Sequence, residues 1–277
     1  MISEILTGNF TTRRYDLGST SEMRVTNWNI ERGLQLSKVI DFLGSQNADL
    51  LTLQEVDLNA RRTRRVNVAE EIARRLGMNY VFGREFEELT QGSRTSPAYH
   101  GQATLSRWRI ANPRVIRFRF QSGFWRPRWY LPRTELFQER IGGRIALVTE
   151  IEGPGRKLTA YNLHLESRGS NDLRLAQLNE VLRDAAKYAP RSPTLVAGDM
   201  NFNASSVIRA GAAPGLGLRS AIKLPSPPTT PVRSFFQGPH TIDWAFISGP
   251  IEARLGRVHN GVEASDHYPL SFTIKFS

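Results

Sequence analysis

LVAGDMNFN, residues 195–203, is the stretch from which the fold is read. Leu195, Val196 and Ala197 form an apolar run that ends in Gly198, with Asp199 and Asn201 two residues apart just beyond. In an extended chain, residues i and i+2 point to the same side. A carboxylate and an amide therefore project together from the end of a buried strand, where polar groups are costly unless something binds them. An Asx-type turn accounts for the pair equally well when this stretch is taken alone.

The rest of the chain supplies company for that strand end. Short apolar runs bounded by Gly, Pro or Asn read as strands over 23–29, 49–55, 80–84, 102–107, 115–120, 144–151, 158–165, 194–198, 242–247 and 270–275. Helical spacing appears over 37–46, 67–76 and 172–187, with Asn67 as an N-cap and Gly77 just past a helix end. Residues 83–101 and the Pro-rich 223–240 read as long loops. Strands outnumber helices and many connections are short, which suits two mixed sheets packed face to face with helices outside. No shift in composition divides the chain, so one domain is expected over 23–277, preceded by an N-terminal extension over 1–22.

Composition narrows the partners. Lys+Arg number 37 against 26 Asp+Glu, a net charge of +11 over 277 residues, and only Lys38, Lys157, Lys187, Lys223 and Lys275 are lysines. Arginine pairs with phosphate bidentately, so a polyanion is an expected partner. The chain has no cysteine, no run of about 18 apolar residues and no basic-then-apolar leader, which leads us to expect a cytoplasmic protein without a membrane span. A monomer is expected.

Polar residues recur at strand boundaries. RVTNWNIERG carries Asn29, LLTLQEVD carries Glu55, TAYNLHLESRG carries His164, GPHTIDWAFIS carries Asp243, and EASDHYPL places Asp266 and His267 before the last strand. Oxygen ligands of this kind suit Mg²⁺ or Mn²⁺. Five histidines without cysteine argue against a closed structural zinc site.

The ordered series WN-I, QE-V, HL, GD-N, D-W-F and SDH resembles the endonuclease/exonuclease/phosphatase superfamily of DNase I-like, metal-dependent phosphodiesterases, from about Met23 to Phe276. The resemblance implies an α/β fold, a four-layer α/β sandwich of two mixed β-sheets flanked by helices. It implies Glu55 as the acidic metal ligand, Asn29 as the amide orienting ligand and metal, and Asp266 as a second acidic residue near the metal. It implies Asp199 holding or activating the attacking water, Asn201 bonding the phosphoryl group, His267 oriented by Asp243, and His164 as a second phosphate-contacting histidine. The resemblance departs at Gln102, where asparagine is common, and at Arg109, where proline is usual. The carboxylate partner expected for His164 lies among Glu85, Glu87 and Glu88. NLHLESRGSNDLRLAQLNEVL, 162–182, is similar to tyrosyl-DNA phosphodiesterase 2.

The expected substrate is nucleic acid, with DNA favoured. Arginines alternate with aromatics over 106–133, as suits phosphate pairing and base stacking, with Arg117 and Arg119 placed on one strand face. Arg61 and Arg62, in NARRTRR after Glu55, and Arg168 are candidate substrate-binding residues. A lipid or small-molecule phosphodiesterase or phosphatase shares the same catalytic series, and FWRPRWYL, 124–131, would serve such an enzyme as a docking hairpin. A non-catalytic phosphate-binding module would have lost a ligand, and none is missing. His100, His240 and His259 carry no functional reading.

Overall fold

The computed structural model describes residues 3–11, 21–126, 138–153, 155–188, 192–205, 215–231 and 238–277. In chain order its strands begin with β1 (Ile5–Asn9), β2 (Glu22–Arg32), β3 (Leu50–Leu58), β4 (Asn79–Glu88), β5 (Ala98–Ser106), β6 (Ile110–Arg117) and β7 (Arg140–Gly142). They continue with β8 (Ile145–Glu152), β9 (Lys157–His164), β10 (Thr194–Asp199), β11 (Arg219–Ser220), β12 (Asp243–Ser248), β13 (Ile251–Val258) and β14 (Leu270–Phe276). The helices are α1 (Leu36–Gln46), α2 (Val68–Leu76) and α3 (Asn171–Ala186).

Among the described residues the strands form two sheets. One runs β1-β4-β5-β3-β2-β14-β13, with β7 added to β4; the other runs β11-β12-β10-β9-β8-β6. Each sheet is mixed, because β2–β3 and β9–β10 are parallel and their other pairings antiparallel. Met23, Val25 and Leu50 from one sheet meet Leu158, Leu195 and Ile247 from the other in a shared apolar layer. The outer face of the first sheet is covered by α1 and α2 through Val39, Leu43, Ile72 and Ala73. The outer face of the second is covered by α3 through Leu178, Val181 and Leu182. This is the expected four-layer α/β sandwich. Each fully buried Leu or Val in these layers contributes roughly 1.5–3 kcal/mol of apolar transfer.

Local chemistry explains the boundaries. Asn67 caps α2 by accepting the backbone N–H of Glu70, and Gly77 ends it in the left-handed region. Strand β10 is buried along its length, as its uninterrupted apolar run requires in a central strand covered on both faces. At Gly198, φ is +154° and an added Cβ would lie 2.0 Å from the carbonyl oxygen of Leu163 on the neighbouring parallel strand. Only glycine lets β9 and β10 approach there, one residue before Asp199.

Some expected elements are revised. Residues 83–101 are mostly strand, since β4 runs to Glu88 and β5 starts at Ala98, with their pairing crossing this stretch. Strand β6 ends at Arg117, because the backbone N–H of Arg119 turns to the Glu180 carboxylate on α3 at 3.1 Å; the two arginines therefore share no strand face. Within the stretch read as an N-terminal extension, β1 pairs antiparallel with β4. Of the 124–131 segment, residues 127–131 lie outside the described residues. No helix among the described residues is long and apolar enough to cross a membrane.

Candidate active site

Strand register builds the site. In the second sheet, Asp199 on β10 stands opposite His164 on the parallel strand β9 and opposite Asp243 on the antiparallel strand β12. Three ionisable side chains therefore lie in one row at the ends of three adjacent strands. In the first sheet, Asn29 on β2 is paired with Gln54 on β3, and Glu55 follows at a bulge with φ +52°. The segment before β14 brings the remaining groups across. Ser265 Oγ donates to the Asn29 carbonyl at 2.7 Å, and Trp28 Nε1 donates to the His267 carbonyl at 2.8 Å.

The row and the segment meet at Asp199, which is 2% exposed. Asn29 Nδ2 donates to Asp199 Oδ2 at 3.1 Å, and the Asn201 backbone N–H donates to Oδ1 at 2.9 Å. The Nε2 atoms of His164 and His267 lie 3.5 and 3.7 Å from the same Oδ2. His267 Nδ1 donates to Asp243 Oδ2 at 2.8 Å, and the backbone of Asp243 is fixed by Thr229 Oγ1 at 3.1 Å. Thus Asn29, His164, Asp199, Asp243 and His267 are brought into one constellation. Asn201, in the left-handed conformation with φ +54°, turns its amide beside it and donates to the Leu165 carbonyl at 3.1 Å.

The Endonuclease/Exonuclease/phosphatase family pattern matches residues 26–267, which include every one of these side chains. The chain belongs to this family. Its members are hydrolytic phosphoesterases. No curated protein matches the chain by sequence. Among solved structures, the human Nocturnin catalytic domain with bound sulfate has a TM-score of 0.65 at 22% identity, covering 94% of this chain and 96% of that one. Humanized D. rerio TDP2 reaches 0.66 at 17%, covering 92% and 99%. An endonuclease/exonuclease/phosphatase from Beutenbergia cavernae reaches 0.64 at 17%, covering 92% and 72%. These likenesses establish a shared fold.

In this family member the charges of the site are set by burial and by close neighbours. Burial pushes the Asp199 carboxyl up to about 7, with Asp243 adding to the rise against the pull of His267. Burial opposes charge on His267, but Asp243 and Asp199 outweigh it and raise the imidazole to about 10. Burial raises the Glu55 carboxyl too, yet the imidazoles of His100 and His164 when protonated, and the guanidinium groups of Arg32 and Arg144 at any pH, hold it well below the usual carboxylate range, so it is ionised. Glu55 is also paired with Arg32 at 3.4 Å. Asp266, half-buried, follows Ser265, whose hydroxyl lies 3.4 Å from its Oδ1. Glu55, an ionised carboxylate within 4.8 Å of ring nitrogens of His100 and His164, is a donor that fits a divalent cation.

His164 has an unexpected partner. Its Nδ1 lies 2.8 Å from Arg144 Nη1, while the Glu85 carboxylate is 3.7 Å from that nitrogen. Glu85 instead lies 3.4 Å from Arg144 and accepts from Gln102 at 3.2 Å. That bond gives Gln102, noted as a departure, a place in the site. A guanidinium has only donors, so Nδ1 must accept and the hydrogen of His164 sits on Nε2, toward Asp199. Burial and Arg144 both hold His164 well below its ordinary pKa. Histidine ¹⁵N chemical shifts are expected to show a neutral Nε2–H ring across the neutral pH range. In Arg144→Met, Glu85 becomes the remaining charged neighbour and the ring is expected to take up a proton in that range. A neutral Nδ1–H ring in the unaltered protein would contradict the assignment.

The candidate arginines separate. Arg62 is committed to two fully buried carboxylates, Asp57 at 2.7 and 2.8 Å and Glu88 at 3.1 Å. Removing it leaves buried charge uncompensated, a loss on the order of 3 kcal/mol of folding stability. Arg61 is exposed and donates to the Thr90 carbonyl. Arg168 lies over the Phe124 ring at 4.4 Å, on a loop fixed by Glu166, which accepts from Trp125 Nε1. Of the aromatics in 106–133, Trp108, Phe118 and Trp125 are buried, whereas Phe120 and Phe124 are exposed. Arg144 and His100 are the site residues that sequence reasoning passed over, whereas Glu85 was among the carboxylates considered for His164. His259 bonds Ser271 Oγ at 2.6 Å outside this cluster.

Proposed function

We propose that the protein hydrolyses phosphodiester bonds in nucleic acid, DNA foremost, with Mg²⁺ or Mn²⁺ as cofactor. The observation that carries this reading is the register-fixed row of His164, Asp199 and Asp243, met by His267 across the sheets. Glu55, Asn29 and Asp266 are the residues that would hold the cation, which supplies charge neutralisation at the phosphate oxygens when bound. Asp199, pushed toward neutrality, orients the attacking water and takes its proton. His267, charged at neutral pH and steadied by Asp243, donates to a phosphoryl oxygen as negative charge gathers there and gives its proton to the departing ester oxygen. His164 offers its Nε2–H as a second, neutral donor, and Asn201 adds an amide N–H.

Nucleic acid is favoured by the +11 charge carried mostly on arginine, and by exposed Phe124 stacked with Arg168 beside the His164 loop. The test is a panel assayed with Mg²⁺ and Mn²⁺: single-stranded and duplex DNA, 5′-tyrosyl and abasic oligonucleotides, RNA, sphingomyelin and inositol phosphates. A DNA substrate is expected to turn over fastest. Its affinity is expected to fall with salt by a log–log slope of about −0.7 to −0.9 per phosphate contact. Faster turnover of sphingomyelin or an inositol phosphate would overturn the nucleic-acid reading.

A further inference from the structure

Asp57 lies two residues beyond Glu55 and is completely buried. Arg62 donates to both of its carboxylate oxygens, and its Oδ1 is 3.1 Å from His100 Nδ1. A carboxylate held in this way by a guanidinium accepts hydrogen bonds, so the hydrogen of the His100 ring sits on Nδ1. In the neutral ring the lone pair is then on Nε2. That nitrogen is buried and has no hydrogen-bond partner. A ring nitrogen of His100, a carboxylate oxygen of Glu55 and a ring nitrogen of His164 all lie within 4.8 Å of one another. No hydrogen bond or ion pair joins His100 to Glu55 at that separation. An imidazole lone pair and an ionised carboxylate, both acceptors, thus share one small space without a donor between them.

We propose that His100 Nε2 is a direct ligand to the divalent cation held by Glu55, and that this nitrogen makes the site prefer Mn²⁺ to Mg²⁺. The inference rests on the reading of Glu55 as a cation ligand. Asp57 then does what carboxylates do behind metal-bound histidines: it takes the distal N–H, fixes the tautomer and raises the basicity of the ligating nitrogen. Arg62 holds Asp57 in turn, which explains why an arginine beside the site is sealed against buried carboxylates rather than turned to the surface. His164 is not a third ligand, because Arg144 occupies its Nδ1 lone pair and its Nε2 carries a hydrogen. Imidazole nitrogen suits transition metals, whereas Mg²⁺ demands oxygen, so the nitrogen selects between two ions of equal charge.

The probe is Mn²⁺ alone, bound to the full chain and read by electron spin-echo envelope modulation and by calorimetry. Bound Mn²⁺ is expected to show directly coupled ¹⁴N, converted to ¹⁵N coupling when the histidines are ¹⁵N-labelled. The coupling should be lost in His100→Gln and kept in His164→Gln. His100→Gln should weaken Mn²⁺ by about tenfold and Mg²⁺ by less than about threefold. The labelling experiment needs no variant, so a poorly folding His100→Gln leaves the test intact. Bound Mn²⁺ without nitrogen coupling, coupling that survives His100→Gln, loss of coupling in His164→Gln, or equal losses for the two metals would overturn the proposal. So would a protein that binds no Mn²⁺. Metal-dependent DNA hydrolysis without nitrogen coupling would overturn this inference and leave the proposed function standing, whereas hydrolysis that needs no cation would overturn that function itself.

Discussion

His267→Ala is expected to slow single-turnover hydrolysis by about four orders of magnitude, and Asp243→Asn added to it is expected to slow the reaction scarcely further. The first loss combines two effects. A positioned acid–base group contributes about 10²–10⁴ in rate, and a charged donor to the transition state contributes further. His267 fills both roles because its Nδ1 is bonded to Asp243 at 2.8 Å and its Nε2 lies 3.7 Å from Asp199 Oδ2. Asp243 acts chiefly through that ring. It is 1% exposed, its backbone is pinned by Thr229, and Oδ2 faces Nδ1. Asp243→Asn alone should therefore be slow, since the amide permits the wrong tautomer. Residues acting as one unit lose their effects together, not multiplicatively. Rate losses that multiply in the double variant would show Asp243 to be a strand residue independent of His267.

Asp199→Asn is expected to cost about three orders of magnitude and to remove the acidic limb of the pH profile. In the unaltered protein the carboxyl is pushed up to about 7 and the neighbouring imidazole to about 10. The base works deprotonated, so the rate should rise with pH through about 7. The acid works protonated, so the rate should fall as pH passes about 10. The two groups share one space and titrate as a pair, so the limbs belong to the pair. Asparagine keeps the shape of the side chain but accepts only one of the two bonds from Asn29 Nδ2 and the Asn201 backbone, and it cannot take a proton. A variant that stays slow while the acidic limb persists would place the base elsewhere.

The fold was legible where apolar runs and punctuation agreed. LVAGD is a central buried strand, Asn67 and Gly77 bracket α2, and the strands that build the site all follow from period and boundary. Strand β13 was not read, because its sequence IEARLGRV buries only its two end residues and takes its form from pairing with β14. Strands β1, β7 and β11 are short edge pieces whose hydrogen bonds come from a neighbour, not from local preference. In the site, Asp199 with Asn201, and Asp266 with His267, could be seen because they are close in sequence. Arg144 reaches His164 from 20 residues away, and His100 reaches Asp57 from 43. No spacing announces such partners; the antiparallel pairing of β3 with β5 makes the second of them. Glu85 was among the carboxylates considered for His164, yet it lies closer to Arg144, a choice that only buried geometry makes.

The central claim is cation-assisted phosphodiester hydrolysis at this strand-end constellation. Its most direct test is single-turnover cleavage of the best DNA substrate by metal-stripped protein, before and after adding back Mg²⁺ or Mn²⁺, alongside Glu55→Ala. The stripped protein is expected to show no cleavage above background in EDTA and to recover with either ion, and Glu55→Ala is expected to recover little. Full cleavage by the stripped protein in EDTA would contradict the claim.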